Sequence, residues 1–139
     1  MDDYIKNRLS LEVEKAYYIS KRYKSSSTFA ILYFEGELEV QDLGKFVRIS
    51  DHLLNIDENH YFIHYTFTQQ NSAFKASQNL LLCLDKHLNN QSACIALDTF
   101  DISKSPTIVI NRLTQILNET QHSSYSRIEN ENILNELFS

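Results

Sequence analysis

The chain has 139 residues and a 42% apolar share, enough to bury one hydrophobic core as a single domain spanning 1–139. Its formal net charge of −5 and pI near 5.5 give no basic field for a phosphate backbone, which argues against DNA or RNA as partners. No apolar run approaches the length of a membrane span and Met1-Asp2-Asp3 is not the basic start of a secretion signal, so no membrane insertion is expected.

From Arg8 to Lys24, Leu9, Val13, Ala16, Tyr17 and Tyr23 recur at helical spacing, with Glu12, Glu14, Lys15, Lys21 and Arg22 mostly on other faces. The run Ser25-Ser26-Ser27 ends that helix. Thr28 to Phe34 is a β-branched and aromatic run expected to form a buried strand. Residues 38–47 read as a short helix with Leu43, Phe46 and Val47 inward. His52 to Ile56 and Tyr61 to Phe67 read as two strands joined by the polar turn Asp57-Glu58-Asn59-His60, a hairpin.

Asn71 or Ser72 caps a predicted long helix that carries Ala73, Ala76, Leu80, Leu84 and Leu88 and stops at Asn89-Asn90. Ala93 to Leu97 is the fourth predicted strand. Ser105 before Pro106 is a helix start, a side-chain cap followed by a preset φ, and Val109, Leu113, Ile116 and Leu117 form its apolar stripe. Residues 121–127 read as a loose linker. The segment 125–139, with Ile128, Ile133, Leu134, Leu137 and Phe138, reads as a helical tail, either docked or presenting a face to a protein partner or a second copy. The expected fold class is therefore α+β: a ferredoxin-like β-α-β-β-α-β core over 8–119, with an extra N-terminal helix and C-terminal helices.

The remaining polar residues form no obvious reactive constellation. Cys83 and Cys94 lack metal-ligand spacing and are expected as reduced, buried thiols, in keeping with the cytoplasm, whether the chain is free there or the cytoplasmic part of a membrane-tethered protein. Gly36 and Gly44 belong to no phosphate-binding loop. His60 and His64 lie about 13 Å apart if both are on one strand, too far to share a metal ion. The serines lack a nucleophile setting. Asp57, Asp98 and Asp101 read as loop and cap residues, and the eight tyrosines and eight phenylalanines mostly as core.

The opening run Leu11 to Ala16, Ser20-Lys21-Arg22-Tyr23 and Phe29 to Glu35 resembles the first helix and strand of GGDEF domains, the diguanylate cyclase family. Arg48-Ile49-Ser50-Asp51, five residues and then Asp57-Glu58-Asn59-His60-Tyr61 resembles that family's Arg-x-x-Asp inhibitory site ahead of its signature turn. The chain departs from the active pattern. Tyr33 stands at the first metal-carboxylate position, with Glu35 at the second acidic one. Asp57 and Glu58 replace the signature glycines, and Asn59 and His60 its acidic pair. The stretch between Glu35 and Arg48 is short. The resemblance thus implies a shortened, degenerate domain with no catalytic residues, no cofactor and no metal.

By the same resemblance, Arg48 and Asp51 imply a cyclic di-GMP site, as in receptors similar to the cytoplasmic subunit of Pel-type exopolysaccharide export, with an output in biofilm signalling. The chemistry suits a guanine: an arginine fork donates to O6 and N7, while a carboxylate accepts from N1–H and the amine. Lys75 and Lys86 are the candidates for a second cation, though neither reproduces a bidentate arginine. Two alternatives stand beside this reading. Arg48 and Asp51 also read simply as a surface salt bridge, and the whole chain as a protein–protein interaction or dimerisation module.

Overall fold

The computed structural model describes residues 3–23, 26–88, 92–122 and 126–137. Helix α1 (Asp3–Tyr23) begins earlier than the predicted start at Arg8; it buries Leu9, Val13 and Ala16, half-buries Tyr17 and leaves Tyr23 exposed. Of the expected helix stop at Ser25-Ser26-Ser27, Ser25 lies outside the described residues. Strand β1 (Thr28–Tyr33) follows. The segment expected as one short helix divides into α2 (Val40–Leu43) and a 3-10 turn at Gly44–Phe46. So short a piece has too few hydrogen bonds to propagate on its own, and its anchoring comes from buried Leu43.

The hairpin forms, from β2 (His52–Asn55) and β3 (His60–Tyr65), but His60, expected in the turn, opens β3, and Thr66 and Phe67, expected on the strand, lie in the turn beyond it. Helix α3 (Gln70–Leu88) buries Ala73, Ser77, Leu80, Leu81 and Leu84; the Leu88 side chain and the stop at Asn89-Asn90 lie outside the described residues. Strand β4 (Cys94–Thr99) leads to α4 (Pro106–His122). The Ser105 cap is present: its hydroxyl accepts the Ile108 N–H at 3.3 Å and its carbonyl the Val109 N–H at 3.0 Å.

Among the described residues the strands form one sheet in the order β2-β3-β1-β4-β5, where β5 is Ile128–Glu129. Every pairing is antiparallel except β4 with β5. The strand alternation explains the layers, because successive side chains face opposite sides. Phe29, Ile31 and Phe62 pack against α1, α4 and the short α5 (Asn132–Leu137). Ala30, Leu32, Tyr61, Ile63 and Tyr65 pack against α2 and α3. The architecture is α+β, a β-α-β-β-α-β core with one added edge strand.

Two expectations are corrected. Ile128, expected on a terminal helix, lies on β5 opposite Ile95. Arg127 fixes that edge, donating to both Asp85 oxygens at 2.7 and 2.8 Å and to the Ala93 carbonyl at 2.8 Å, while its own carbonyl accepts from Ile95 N–H. Ile133 and Leu134 are docked in the α1/α4 core; the Leu137 side chain and Phe138 lie outside the described residues. Of the expected linker, Gln121 and His122 complete α4, and residues 123–125 lie outside the described ones.

Asp98 is the second correction. It is a strand residue only 2% exposed, not a loop residue, and both of its oxygens are held by Arg112 on α4. Asp57 and Asp101 do cap turns, through the Asn59 and Ser103 N–H groups respectively. Both cysteines are free, Cys94 buried and Cys83 half-buried. No described helix is long and apolar enough to cross a membrane.

Candidate ligand-binding site

Val47 leaves the 3-10 turn in an extended conformation, and the chain then bends back on itself, with the Asp51 N–H donating to the Arg48 carbonyl at 3.0 Å. This turn points the two side chains at each other. Arg48 Nη2 donates to Asp51 Oδ1 at 2.7 Å and Nε to Oδ2 at 3.2 Å, and the same Oδ2 accepts the Arg48 backbone N–H at 3.2 Å. The Asp51 side chain is 1% exposed, whereas that of Arg48 is 54% exposed. A buried carboxylate therefore orients a half-exposed guanidinium. That bond raises the Arg48 pKa further, against the opposing effect of burial.

Arg48 also grips the connection between β3 and α3. Nη2 donates to the Thr66 carbonyl at 3.0 Å and to Thr68 Oγ1. Thr66 Oγ1 in turn donates to the Ser50 carbonyl at 2.9 Å, and Thr28 Oγ1 to the Thr68 carbonyl at 3.0 Å. Nη1 takes no part in these bonds. Thr66 and Thr68 were not singled out from sequence, since only the folded hairpin brings them beside residue 48.

At the other end of the hairpin, the Asp57 carboxylate accepts the Asn59 N–H at 2.9 Å and meets His60 Nδ1 at 2.8 Å. Burial pushes the Asp57 pKa up, but the hydrogen bonds from Asn59 and His60 outweigh it and the net direction is down. The Phe34 N–H donates to the Asn59 carbonyl at 2.9 Å, tying the turn to the end of β1. Beside it opens a cleft of about 710 Å³ lined by Glu37, Glu39, Asn55, Glu58, Asn59 and Tyr61.

No protein-family model matches the sequence, and no curated protein matches it. Solved structures do. The diguanylate cyclase SiaD from Pseudomonas aeruginosa, in complex with its activator SiaC, aligns with a TM-score of 0.73 at 12% identity, over 90% of this chain and 57% of that one. The GGDEF domain of DgcB from Caulobacter crescentus, in complex with c-di-GMP, gives 0.71 at 8% identity over 87% and 86% of the two chains. The GGDEF domain of PA1120 (YfiN or TpbB) from Pseudomonas aeruginosa gives 0.71 at 9% identity over 91% and 92%. The fold is that of a GGDEF domain. At such identities the likeness is one of backbone architecture.

Within this GGDEF-like fold, Tyr33 ends β1 and its hydroxyl donates to Glu35 Oε1 at 2.5 Å. That bond, with smaller contributions from burial and charge, pushes the Tyr33 pKa up to about 12. Its ring lies 5.2 Å from that of His60. His60 opens β3 and His64 is its penultimate residue; His60 is engaged by Asp57, while His64 is 1% exposed against Phe29 and His52. Among the described residues no group of three or more His, Cys, Asp or Glu side chains is placed to hold a metal ion.

The four residues proposed from sequence are not all brought together. Arg48 and Asp51 converge. Lys75 and Lys86 are both exposed on α3, on the side away from the buried Ala73, Ser77 and Leu84, and stand about 16 Å apart along its axis. Among the described residues neither shares a hydrogen bond or ion pair with Arg48 or Asp51, and one base cannot reach both.

Proposed function

We propose that this GGDEF-like domain is a receptor for cyclic di-GMP that does not itself make the dinucleotide. The observation that carries the reading is the half-exposed Arg48 guanidinium, oriented by a buried Asp51 in the Arg-x-x-Asp register before the hairpin turn. The DgcB neighbour, whose fold this chain shares, was solved with c-di-GMP bound. Asp51 and the Thr66–Thr68 turn hold Nε and Nη2, which leaves Nη1 for guanine O6 or a phosphate oxygen. A two-pronged contact to O6 and N7 requires the ligand to share Nη2 or to draw Arg48 off Asp51. Weak affinity is therefore expected, with Lys75 or Lys86 supplying at most one further cation.

The lack of turnover belongs to the same proposal. A divalent cation needs several hard oxygen ligands, and at the end of β1 the place of one carboxylate is taken by a tyrosine whose hydroxyl engages Glu35. These donors do not fit such an ion. The lining of the adjacent cleft includes Glu37, Glu39 and Glu58 and no lysine or arginine, which disfavours a nucleoside triphosphate there. An output in exopolysaccharide or biofilm control extends the proposal to the cell.

Calorimetric titration with cyclic di-GMP tests it. Saturable heat with the wild type and none with Arg48→Ala is expected, with circular dichroism confirming that the variant is folded. Equal affinity in both proteins excludes this site, and no binding by the wild type excludes the function.

A second reading, as a docking or dimerisation module, has its own observation. Leu11 and Tyr18, one heptad apart on α1, are 57% and 77% exposed. Sedimentation of the wild type against Leu11→Glu/Tyr18→Glu tests it, and a monomer in both removes the homodimer.

A further inference from the structure

We infer that Phe67 is the platform on which the purine gripped by Arg48 stacks, an assignment that rests on the receptor reading and names the side chain that recognises the base. Phe67 has φ 52°, the one non-glycine residue with positive φ among those described. A left-handed phenylalanine is unfavourable, because its Cβ crowds the following carbonyl, and glycine or asparagine is the usual occupant. The surroundings enforce it nonetheless. Thr66 is tied to Ser50, Thr68 to Thr28 and to the Thr66 carbonyl, and both ends of the turn to Arg48.

The enforced conformation puts the ring outside both cores, 56% exposed, although Phe29, Phe34 and Phe62 are fully buried. Folding alone gains little from an aromatic placed there. The ring is not unsupported, since Tyr23 meets it edge-on with centroids 6.1 Å apart, and the Arg22 guanidinium sits 5.4 Å from the Tyr23 ring centre.

Proximity links the ring to the guanidinium. Arg48 Nη2 bonds the carbonyl of the peptide that leads into Phe67, and the hydroxyl of the residue that follows it. One three-residue turn thus accepts from Arg48 Nη2 and carries the Phe67 ring. Ile49, wholly exposed beside Arg48, adds an apolar edge. A flat heterocycle with acceptors on its rim is the chemistry that such a pair recognises: it stacks through its face and accepts through its edge. A peptide partner would use the apolar ring and the cation without requiring planarity.

The test follows four proteins, wild type, Phe67→Gly, Phe67→Leu and Arg48→Ala, by thermal unfolding and by titration with cyclic di-GMP. Phe67→Gly relieves the backbone and is expected to unfold at the wild-type temperature or above it, yet to bind about ten-fold more weakly. Phe67→Leu keeps the apolar bulk without the flat face and is expected to lose affinity several-fold. It also serves if the glycine variant is poorly folded. Wild-type affinity in both Phe67 variants, with binding abolished by Arg48→Ala, overturns the platform and leaves the receptor intact. Absence of binding by the wild type overturns both.

Discussion

Buried Asp98 on β4 and partly exposed Arg112 on α4 form a two-pronged ion pair, Nε to Oδ2 at 2.9 Å and Nη2 to Oδ1 at 3.0 Å. Burial pushes the Asp98 carboxyl pKa up, against the pull of Arg112. Removing one partner of such a pair leaves an uncompensated charge, so Arg112→Leu is expected to cost about 3–5 kcal/mol at neutral pH in a denaturant titration. The loss should shrink as pH falls. An acid whose pKa is raised by folding is protonated in the native state first, so the variant regains stability as the carboxyl neutralises. Asp98→Asn/Arg112→Leu should recover most of the loss, and a double variant as unstable as the single one contradicts the pairing argument.

His64 gives the opposite sign of coupling to pH. It is 1% exposed, and burial, helped by the neighbouring His52 and opposed by Asp51 and Glu12, lowers its pKa from 6.5 to about 4. The unfolded chain takes up the proton first. Stability is therefore present above pH 6.5 and lost as pH falls towards 4, by up to about 3 kcal/mol from this group. His64→Phe matches the aromatic neighbours Phe29 and Phe62 and should flatten that part of the pH–stability curve. An unchanged slope in the variant assigns the loss to other groups.

The legible parts of the fold were the ones written in local pattern. Ser105-Pro106 announced α4 because a hydroxyl cap and a fixed φ act within one turn, and Ser105→Ala should cost about 1 kcal/mol in chemical denaturation. The hairpin was readable from two apolar runs around four polar residues. What escaped was set by distant partners. β5 is only Ile128–Glu129, too short to have a period, and depends on Arg127 reaching Asp85. Asp98 read as a loop or cap residue because its partner, Arg112, lies on the following helix. In the candidate site, Arg48 and Asp51 were legible through their resemblance to the Arg-x-x-Asp motif, but Thr66, Phe67 and Thr68 were not. A left-handed phenylalanine carries no sequence signature, and the role proposed for it depends on a turn that the hairpin folds back beside residue 48.

The Arg127–Asp85 pair is a test of the added edge strand itself. Arg127 closes three contacts at once, two to Asp85 and one to the Ala93 carbonyl. Arg127→Ala should expose the β4 edge and speed amide exchange at Ile95, whose N–H donates to the Arg127 carbonyl at 2.8 Å. Exchange at Ala30, in the middle of the sheet, should stay slow. Equal acceleration at both positions would mean that the strand is not a separable edge but part of the global unfolding unit.

Tyr33 and the cleft beside the hairpin turn make the last prediction, which separates loss of a metal ligand from loss of the substrate pocket. Incubated with GTP and Mg²⁺, the wild type should yield no dinucleotide above the protein-free blank. Tyr33→Asp restores a carboxylate next to Glu35 and frees the latter from the tyrosine hydroxyl. Divalent-cation binding should therefore rise, visible as a shift in unfolding temperature with Mn²⁺. Turnover should not follow, because a bound triphosphate would still face Glu37, Glu39 and Glu58 across the cleft with no lysine or arginine in its lining. Product from the wild type contradicts the proposed absence of catalysis. Product from Tyr33→Asp alone would show that a single tyrosine, and not the reshaped pocket, holds the activity down.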